Sequence, residues 1–235
     1  MKQEILKILF DRFDKWSTRF GFACNKGCAV CCTTDVFITA PEGELILDHI
    51  VSAHTAQWLE KKLDLAIVRR TLFQTTNDYA KDCLEGRYSE NKDMRRGGVC
   101  PFLEDECCSI YPARPFSCRC FASTVCCRNG GNALLPPEYL SAATAVSQII
   151  EHVGQFGHWG TLTDVLTLQA VTRKHCSGSR FEDNADVARK NCLTAKPLPG
   201  FLIEDEHYEK VTALVEDILS ARLQGRSIED ILNNC

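Results

Sequence analysis

The cysteines of this 235-residue chain constrain its fold more than any other feature. Four thiols fall within nine residues in the stretch Cys24-Asn-Lys-Gly-Cys28-Ala-Val-Cys31-Cys32. A cysteine in an apolar core acts as a small hydrophobic residue and needs no thiol neighbours. More thiols follow in Cys100-Pro-Phe-Leu and in Cys108-Ser-Ile-Tyr-Pro-Ala-Arg-Pro-Phe-Ser-Cys118-Arg. We therefore predict that these stretches meet around a metal held by thiolates.

The cysteine content also bears on the compartment in which the protein works. The first residues contain no apolar run of signal-peptide length and no small-residue cleavage site, which predicts a cytoplasmic protein. In a reducing compartment, 15 cysteines are better explained as metal ligands than as a disulfide framework. Three pairs of cysteines are sequence neighbours, which cannot easily form a disulfide with each other: Cys31-Cys32, Cys107-Cys108 and Cys126-Cys127.

Charge and hydropathy exclude two classes of partner. The net charge of −4 and the pI near 5.9 leave no basic surplus for a phosphate backbone, so nucleic acid is not expected to bind. No segment approaches the roughly 20 apolar residues that span a bilayer. We expect neither a nucleic-acid partner nor a membrane, and the expected substrate is an unidentified small molecule or protein.

Hydrophobic periodicity predicts a mainly α fold with few or no strands and a loop-rich metal centre. An amphipathic helix over 3–20 is expected to pack on the body, and Thr39 and Glu42 form a capping box that begins a helix ending near His54. A short strand is predicted near Ile38. Further helices are predicted over 55–84, 138–153, 162–174, 183–192 and 205–223, with a short one after Ser227. The polar stretch 85–98 predicts a loop.

The segment from 100 to 127 is predicted to contain little regular structure, because prolines 101, 112 and 115 prevent a continuous helix. Aromatic and aliphatic residues alternate with its cysteines, which is typical of loops that shield a metal from water. A four-thiolate zinc or [4Fe–4S] site carries a charge of about −2, which guanidinium groups can balance. We name Arg114 and Arg119 as candidate cofactor-binding residues; a solvated surface position is the alternative for both.

We predict a single domain over 1–235. Within it, residues 24–128 form a cysteine-cluster core, and residues 129–235 form a helical extension packed on that core. The remaining cysteines and the histidines show no ligand spacing, so structural roles are expected for them; His175-Cys176 is the pair of most interest.

The combined pattern over about residues 24–121 resembles the YkgJ-type cysteine-cluster proteins, a zinc- or iron-chelating domain. It comprises Cys24-x3-Cys28-x2-Cys31-Cys32, Ile38-Thr39-x2-Glu42, Cys100-Pro101-Phe102-Leu103 and Cys108-x-Ile110-Tyr111-x2-Arg114-Pro115-x2-Cys118-Arg119-x-Phe121. The resemblance extends to the flagellin lysine methylases, which are associated with an iron–sulfur centre. It implies that seven cysteines are ligands: Cys24, Cys28, Cys31, Cys32, Cys100, Cys108 and Cys118. Cys107, Cys120, Cys126 and Cys127 lie outside the shared pattern; we add Cys120, Cys126 and Cys127 as candidate ligands.

The ligand type alone does not identify the metal, because zinc and iron–sulfur clusters both accept four cysteines. The spacing of Cys24, Cys28 and Cys31 also resembles the cluster motif of radical S-adenosylmethionine enzymes, which favours [4Fe–4S] and keeps S-adenosylmethionine as a candidate cofactor. The chain lacks the alternating strand and helix pattern of their barrel. Eight thiolates would suffice for two four-ligand centres.

Three classes of function follow from a metal centre of this kind. The first is a redox or group-transfer enzyme, including methyl transfer, that acts through an open iron. The second is a non-catalytic zinc-binding protein whose metal supports an interaction surface, and the third is a metal-storage protein. The chain contains no P-loop, dinucleotide fingerprint or Ser/His/Asp constellation, so any catalysis depends on the metal, and no catalytic residue is assigned.

Overall fold

The computed structural model describes residues 1–25, 27–64, 71–87, 97–128 and 132–233. Helix accounts for 55% and strand for 9% of these residues, which confirms a mainly helical fold. The α-helices are α1 (Lys2–Ser17), α2 (Ala40–Ala53), α3 (Ala56–Asp64), α4 (Thr76–Leu84), α5 (Phe116–Cys120), α6 (Pro137–Val153), α7 (Leu162–Thr172), α8 (Ser179–Asn191), α9 (Tyr208–Ser220) and α10 (Ile228–Leu232). The short strands are β1 (Phe37–Thr39), β2 (Leu103–Glu104), β3 (Cys107–Cys108), β4 (His158–Thr161), β5 (Leu193–Thr194), β6 (Arg222–Leu223) and β7 (Arg226–Ser227).

The prediction of one helix over 55–84 is wrong. Helix α3 ends within it, residues 71–75 are not helical, and α4 begins after Thr75. The Thr75 hydroxyl accepts a hydrogen bond from the Asp78 N–H at 3.2 Å, and Asp78 Oδ2 accepts one from the Thr75 N–H at 3.3 Å. This capping box starts a new helix because it satisfies backbone donors that a continuous helix would bond internally. Residues 65–70, and most of the loop predicted over 85–98, lie outside the described residues.

Three hydrophobic clusters form the interior, the smallest of them between α7 and α8. The first cluster is built from α1, α6, α9 and α10, and Leu6, Leu9 and Ile149 are completely buried in it. The apolar face of α1 therefore packs on the body of the protein, as its periodicity predicts. The second cluster joins α2, α3 and α7 to the stretch around Phe102 and Ile110. The cysteine segments therefore pack against helices from both halves of the chain.

A small antiparallel sheet lies between these helices. Strand β4 pairs with β1 on one side and with β5 on the other, with Phe37 opposite Thr161 and Trp159 opposite Leu193. The predicted strand near Ile38 is β1, and the helix that follows it begins at the predicted capping box. Within the residues described, no helix is both long and apolar enough to cross a membrane.

Candidate metal centre

Main-chain hydrogen bonds bring the cysteine-bearing loops together. The Cys100 N–H donates to the Cys32 carbonyl at 3.0 Å, and the Thr34 N–H donates to the Gly98 carbonyl at 2.9 Å. These bonds pair the first cysteine loop with the chain that leads into the second. Further along, the Ala23 N–H donates to the Ser123 carbonyl at 2.7 Å, which places the segment after α5 beside the start of the first loop. We call residues 23–36 and 97–128 together the cysteine region.

The cysteine region encloses a cavity of about 240 Å³. Its lining includes all seven cysteines of the sequence pattern: Cys24, Cys28, Cys31, Cys32, Cys100, Cys108 and Cys118. They come from three separate parts of the chain: the first loop, the β2–β3 hairpin with its approach, and α5. Apolar side chains such as Val36 and Ile110 complete the wall, together with Arg114 and Arg119. Tertiary structure therefore groups the thiols that the sequence separates.

The remaining cysteines of this region lie elsewhere. Cys107 is exposed and does not line the cavity, although its neighbour Cys108 does. Cys120 packs against the first hydrophobic cluster, because it follows Cys118 by two residues on α5 and so points to another side of that helix. Cys126 and Cys127 line a neighbouring cavity of about 280 Å³ with Cys24 and Cys28.

Helix α5, which carries Cys118, is fixed by a buried carboxylate that sequence reasoning assigned only to helix capping. Glu42 Oε2 accepts hydrogen bonds from the Thr39 N–H at 2.9 Å and hydroxyl at 3.0 Å. Its Oε1 accepts one from the Phe116 N–H at 2.9 Å, at the first residue of α5. Burial raises the pKa of Glu42, and the hydrogen bonds oppose that shift. The capping box gave no signal for this second role, because Phe116 lies 74 residues away.

The two arginines on the cavity wall differ in their partners. Arg119 forms an ion pair with Asp14 at 2.7 Å, and its Nε donates to the Arg114 carbonyl at 3.1 Å. Arg114 lies over the Tyr111 ring at 3.7 Å, and its buried Nε has no hydrogen-bond partner among the described residues. A buried donor without a partner is costly, so a site of this kind favours an anionic group nearby. Arg114 therefore fits the balancing cation of a thiolate centre.

The thiols influence one another's ionisation. The Cys31 thiol donates a hydrogen bond to the Cys32 sulfur, which together with burial raises the pKa of Cys31. The same bond lowers the pKa of Cys32, although burial and the nearby thiolates of Cys100, Cys118 and Cys108 act against it. The pKa values of the adjacent Cys31 and Cys32 are therefore shifted in opposite directions.

The donor set fits a thiophilic metal, since soft thiolate ligands select zinc or iron–sulfur clusters over hard cations. Among the residues that the structure describes, no group of three or more histidine, cysteine, aspartate and glutamate side chains is arranged so that it could hold a metal ion. The ligand assignment of the cysteines therefore stays a prediction. The cavity and the unpaired Arg114 donor are the observations that bear on it.

The histidines do not line the cavity, and neither do Cys83, Cys176 and Cys192. Cys176 is buried in the second hydrophobic cluster, where burial raises its pKa to about 11. His152 Nδ1 accepts a hydrogen bond from the Leu198 N–H at 2.9 Å, so the neutral ring connects α6 to the segment before α9.

Lys62 is a residue near the site that sequence reasoning missed. Its ammonium group forms an ion pair with Glu104 at 2.6 Å. Burial raises the pKa of Cys100, and the charge of Lys62 acts against that larger effect.

Comparison of the chain with protein-family models, with curated proteins and with solved structures finds no match. The resemblance to the YkgJ-type proteins therefore depends on the spacing of the cysteines and of their neighbours alone, and membership of that family stays a prediction.

Proposed function

We propose that this chain is a cysteine-ligated metalloprotein with an iron–sulfur cluster of the [4Fe–4S] type and a redox or group-transfer role. The observation that carries the proposal is the convergence of seven cysteines from three parts of the chain on one cavity. A core that needed cysteine only as an apolar filler would not group thiols around a cavity. The spacing of Cys24, Cys28 and Cys31 favours the cluster over zinc alone.

Cysteines of the cavity would hold the metal, and Arg114 would balance its negative charge. Bound there, an iron–sulfur cluster supplies one-electron transfer, or a Lewis-acidic iron where one iron lacks a cysteine. The chain's own contribution is to exclude water with Val36, Ile110 and Leu162, and to place Arg114 where its charge opposes the burial that raises the pKa of Cys108 and Cys118. The partner would be a small molecule or a protein, in keeping with the acidic net charge, and a reducing compartment such as the cytoplasm suits free thiols.

Anaerobic purification from a culture supplied with both iron and zinc tests this proposal. We expect a brown protein with broad visible absorbance, and with iron and acid-labile sulfide in similar amounts. A variant with serine at Cys24, Cys28 and Cys31 should lose the colour, whereas serine at the distant Cys176 should preserve it. A colourless protein that contains only zinc would contradict the iron–sulfur assignment and support the non-catalytic zinc-binding or metal-storage alternative.

A further inference from the structure

The β2–β3 hairpin presents a different pair of residues on each of its two faces. Its backbone pairs Leu103 with Cys108 and Glu104 with Cys107. Residues directly opposite each other in an antiparallel pair share one side of the sheet, so each pair belongs to one face. Leu103 and Cys108 both line the cavity. Glu104 and Cys107 are exposed and do not line it. The orientation of the hairpin therefore decides which of two adjacent cysteines reaches the cavity.

The hairpin has little stability of its own. Each strand has only two residues, and an isolated two-stranded hairpin is at best marginally stable in water. The turn holds Asp105 at φ 46° and Glu106 at φ 60°, in the left-handed region that glycine adopts without steric cost. The Ser109 N–H and hydroxyl both donate to the Phe102 carbonyl at 2.8 Å and close the base of the hairpin. Contacts from outside the hairpin must therefore fix its orientation.

Helix α3 supplies such a contact on the outer face of the hairpin. Lys62 Nζ forms an ion pair with Glu104 Oε1 at 2.6 Å, and the Trp58 indole N–H donates to the same oxygen at 3.2 Å. Trp58 and Lys62 are four residues apart on α3, so their side chains lie on one side of the helix. His54 stacks on the Trp58 ring with 3.9 Å between the ring centroids, which restrains the indole. We call Trp58, Lys62 and Glu104 the hairpin clamp.

The hairpin clamp differs from an ordinary surface ion pair, which contributes little to stability. The Lys62 side chain is only 15% exposed, and its ammonium group lies 5.4 Å from the centroid of the Trp58 ring. The clamp is anchored in the body, because Leu59 and Leu63 bury the same helix in the second hydrophobic cluster. Asp105, the next acidic residue of the turn, forms no ion pair within the described part of the chain. Glu104 alone thus connects the turn to α3.

We propose that Trp58 and Lys62 are positioning residues that act through Glu104 to direct Cys108, rather than Cys107, into the cavity. Neither Trp58 nor Lys62 lines the cavity, so any effect on it passes through the hairpin. The inference rests on the proposed function only for the role that Cys108 has once it faces the cavity. Release of the clamp lets the hairpin turn, which exposes Cys108 and opens the cavity wall.

The rate at which iodoacetamide alkylates individual cysteines of the metal-free protein tests this inference. Tandem mass spectrometry assigns the modification to Cys107, Cys108 or Cys176. In the wild type the exposed Cys107 should react faster than the partly buried Cys108. Cys176 is buried in the second hydrophobic cluster, so its rate reports general unfolding and should stay low in every variant.

Two matched pairs of variants separate the clamp from other effects. Glu104→Gln weakens the clamp and should raise the alkylation rate of Cys108 about three- to tenfold, the loss expected for one partly exposed charged contact. Asp105→Asn removes the same charge from the same turn outside the clamp and should leave the rate unchanged. Lys62→Met should act like Glu104→Gln, whereas Lys62→Arg can still pair with Glu104 and should preserve the slow reaction.

An unchanged Cys108 rate in Glu104→Gln and Lys62→Met would overturn the positioning role, as would an equal increase in Asp105→Asn. Faster alkylation of Cys176 in the clamp variants would also contradict it, because the fold as a whole would then be affected. Metal per chain after anaerobic purification distinguishes this inference from the proposed function. If Cys108 depends on the clamp but the wild type contains no metal, the clamp stands while the proposed function fails. Metal in the wild type with unchanged Cys108 rates would give the reverse result.

Discussion

The helical body and the cysteine region of this protein are stabilised in different ways. In the body, α1, α6, α9 and α10 bury continuous apolar faces against one another, so the hydrophobic effect stabilises them directly. The cysteine region has two-residue strands, a five-residue helix and a cavity lined by thiols. Its order depends on a few main-chain hydrogen bonds, on contacts to the body and, in our proposal, on metal. The body should therefore tolerate metal removal better than the cysteine region does.

A pair of buried carboxylates offers the strongest test of this difference. Glu42 binds the start of α5 in the cysteine region, whereas Glu151 accepts the N–H groups of Asn77 and Lys196 in the body, each at 2.8 Å. Replacing either by alanine leaves two main-chain N–H donors without that acceptor, both buried for Glu42 and one only partly buried for Glu151, which should cost about 3 kcal/mol of unfolding free energy. Denaturant unfolding measures that loss.

The two variants should differ in metal content. Glu42→Ala releases the helix that carries Cys118, so metal per chain should fall with stability. Glu151→Ala should be destabilised to a similar degree and keep its metal. Glu42→Gln is a milder control, because its amide oxygen can still accept the Phe116 N–H. Equal metal loss in both alanine variants would show that the cysteine region does not fold as a unit distinct from the body.

Substitutions of the two cavity arginines should have effects of intermediate size, and they test the same difference between the body and the cysteine region. Arg114→Gln removes a cation that faces thiols and should reduce metal affinity about 10- to 100-fold, as loss of a residue that supports metal ligands commonly does. Arg119→Gln removes the ion pair to Asp14 on α1 and should lower the melting temperature with little change in metal affinity. Competition with a chelator measures the affinity, and a reversed order of effects would refute the assignment of Arg114.

The smallest expected effect lies in the body, at His152. Burial lowers the pKa of His152 from the ordinary 6.5, and the hydrogen bond to the Leu232 carbonyl opposes that shift. The neutral ring also accepts the Leu198 N–H at 2.9 Å. The stability that depends on the neutral ring is therefore complete above pH 6.5. About 1 kcal/mol of this stability is lost as the pH falls towards the lower pKa of the folded state. As the pH falls below about 6.5, the unfolding free energy should decrease less in His152→Gln than in the wild type. The metal content should not change in either protein.

Much of the helical body follows from local pattern, and the errors have local causes. The apolar spacing of α1 and the capping box at Thr39 predict the elements that are observed. The predicted helix over 55–84 is interrupted because Thr75 and Asp78 form a second capping box, a signal present in the sequence but outweighed by the apparent apolar period. The predicted helix over 205–223 ends at Ser220, where the chain turns into the β6–β7 hairpin.

By itself the sequence determined most of the helices, the scarcity of regular structure around the prolines and seven cysteines that line the cavity, because these depend on spacing and on residue type. It also predicted one helix over 55–84 where two are observed, and added Cys120, Cys126 and Cys127 as ligands although none of them lines this cavity. Only the tertiary structure decided that Cys120 lies against the hydrophobic core, that Arg119 is engaged by Asp14 while Arg114 is not, and that Glu42 holds α5. Each of these depends on contacts between residues far apart in the chain. Local propensity carries no information on such contacts, because they form only when helices from both halves of the chain pack together.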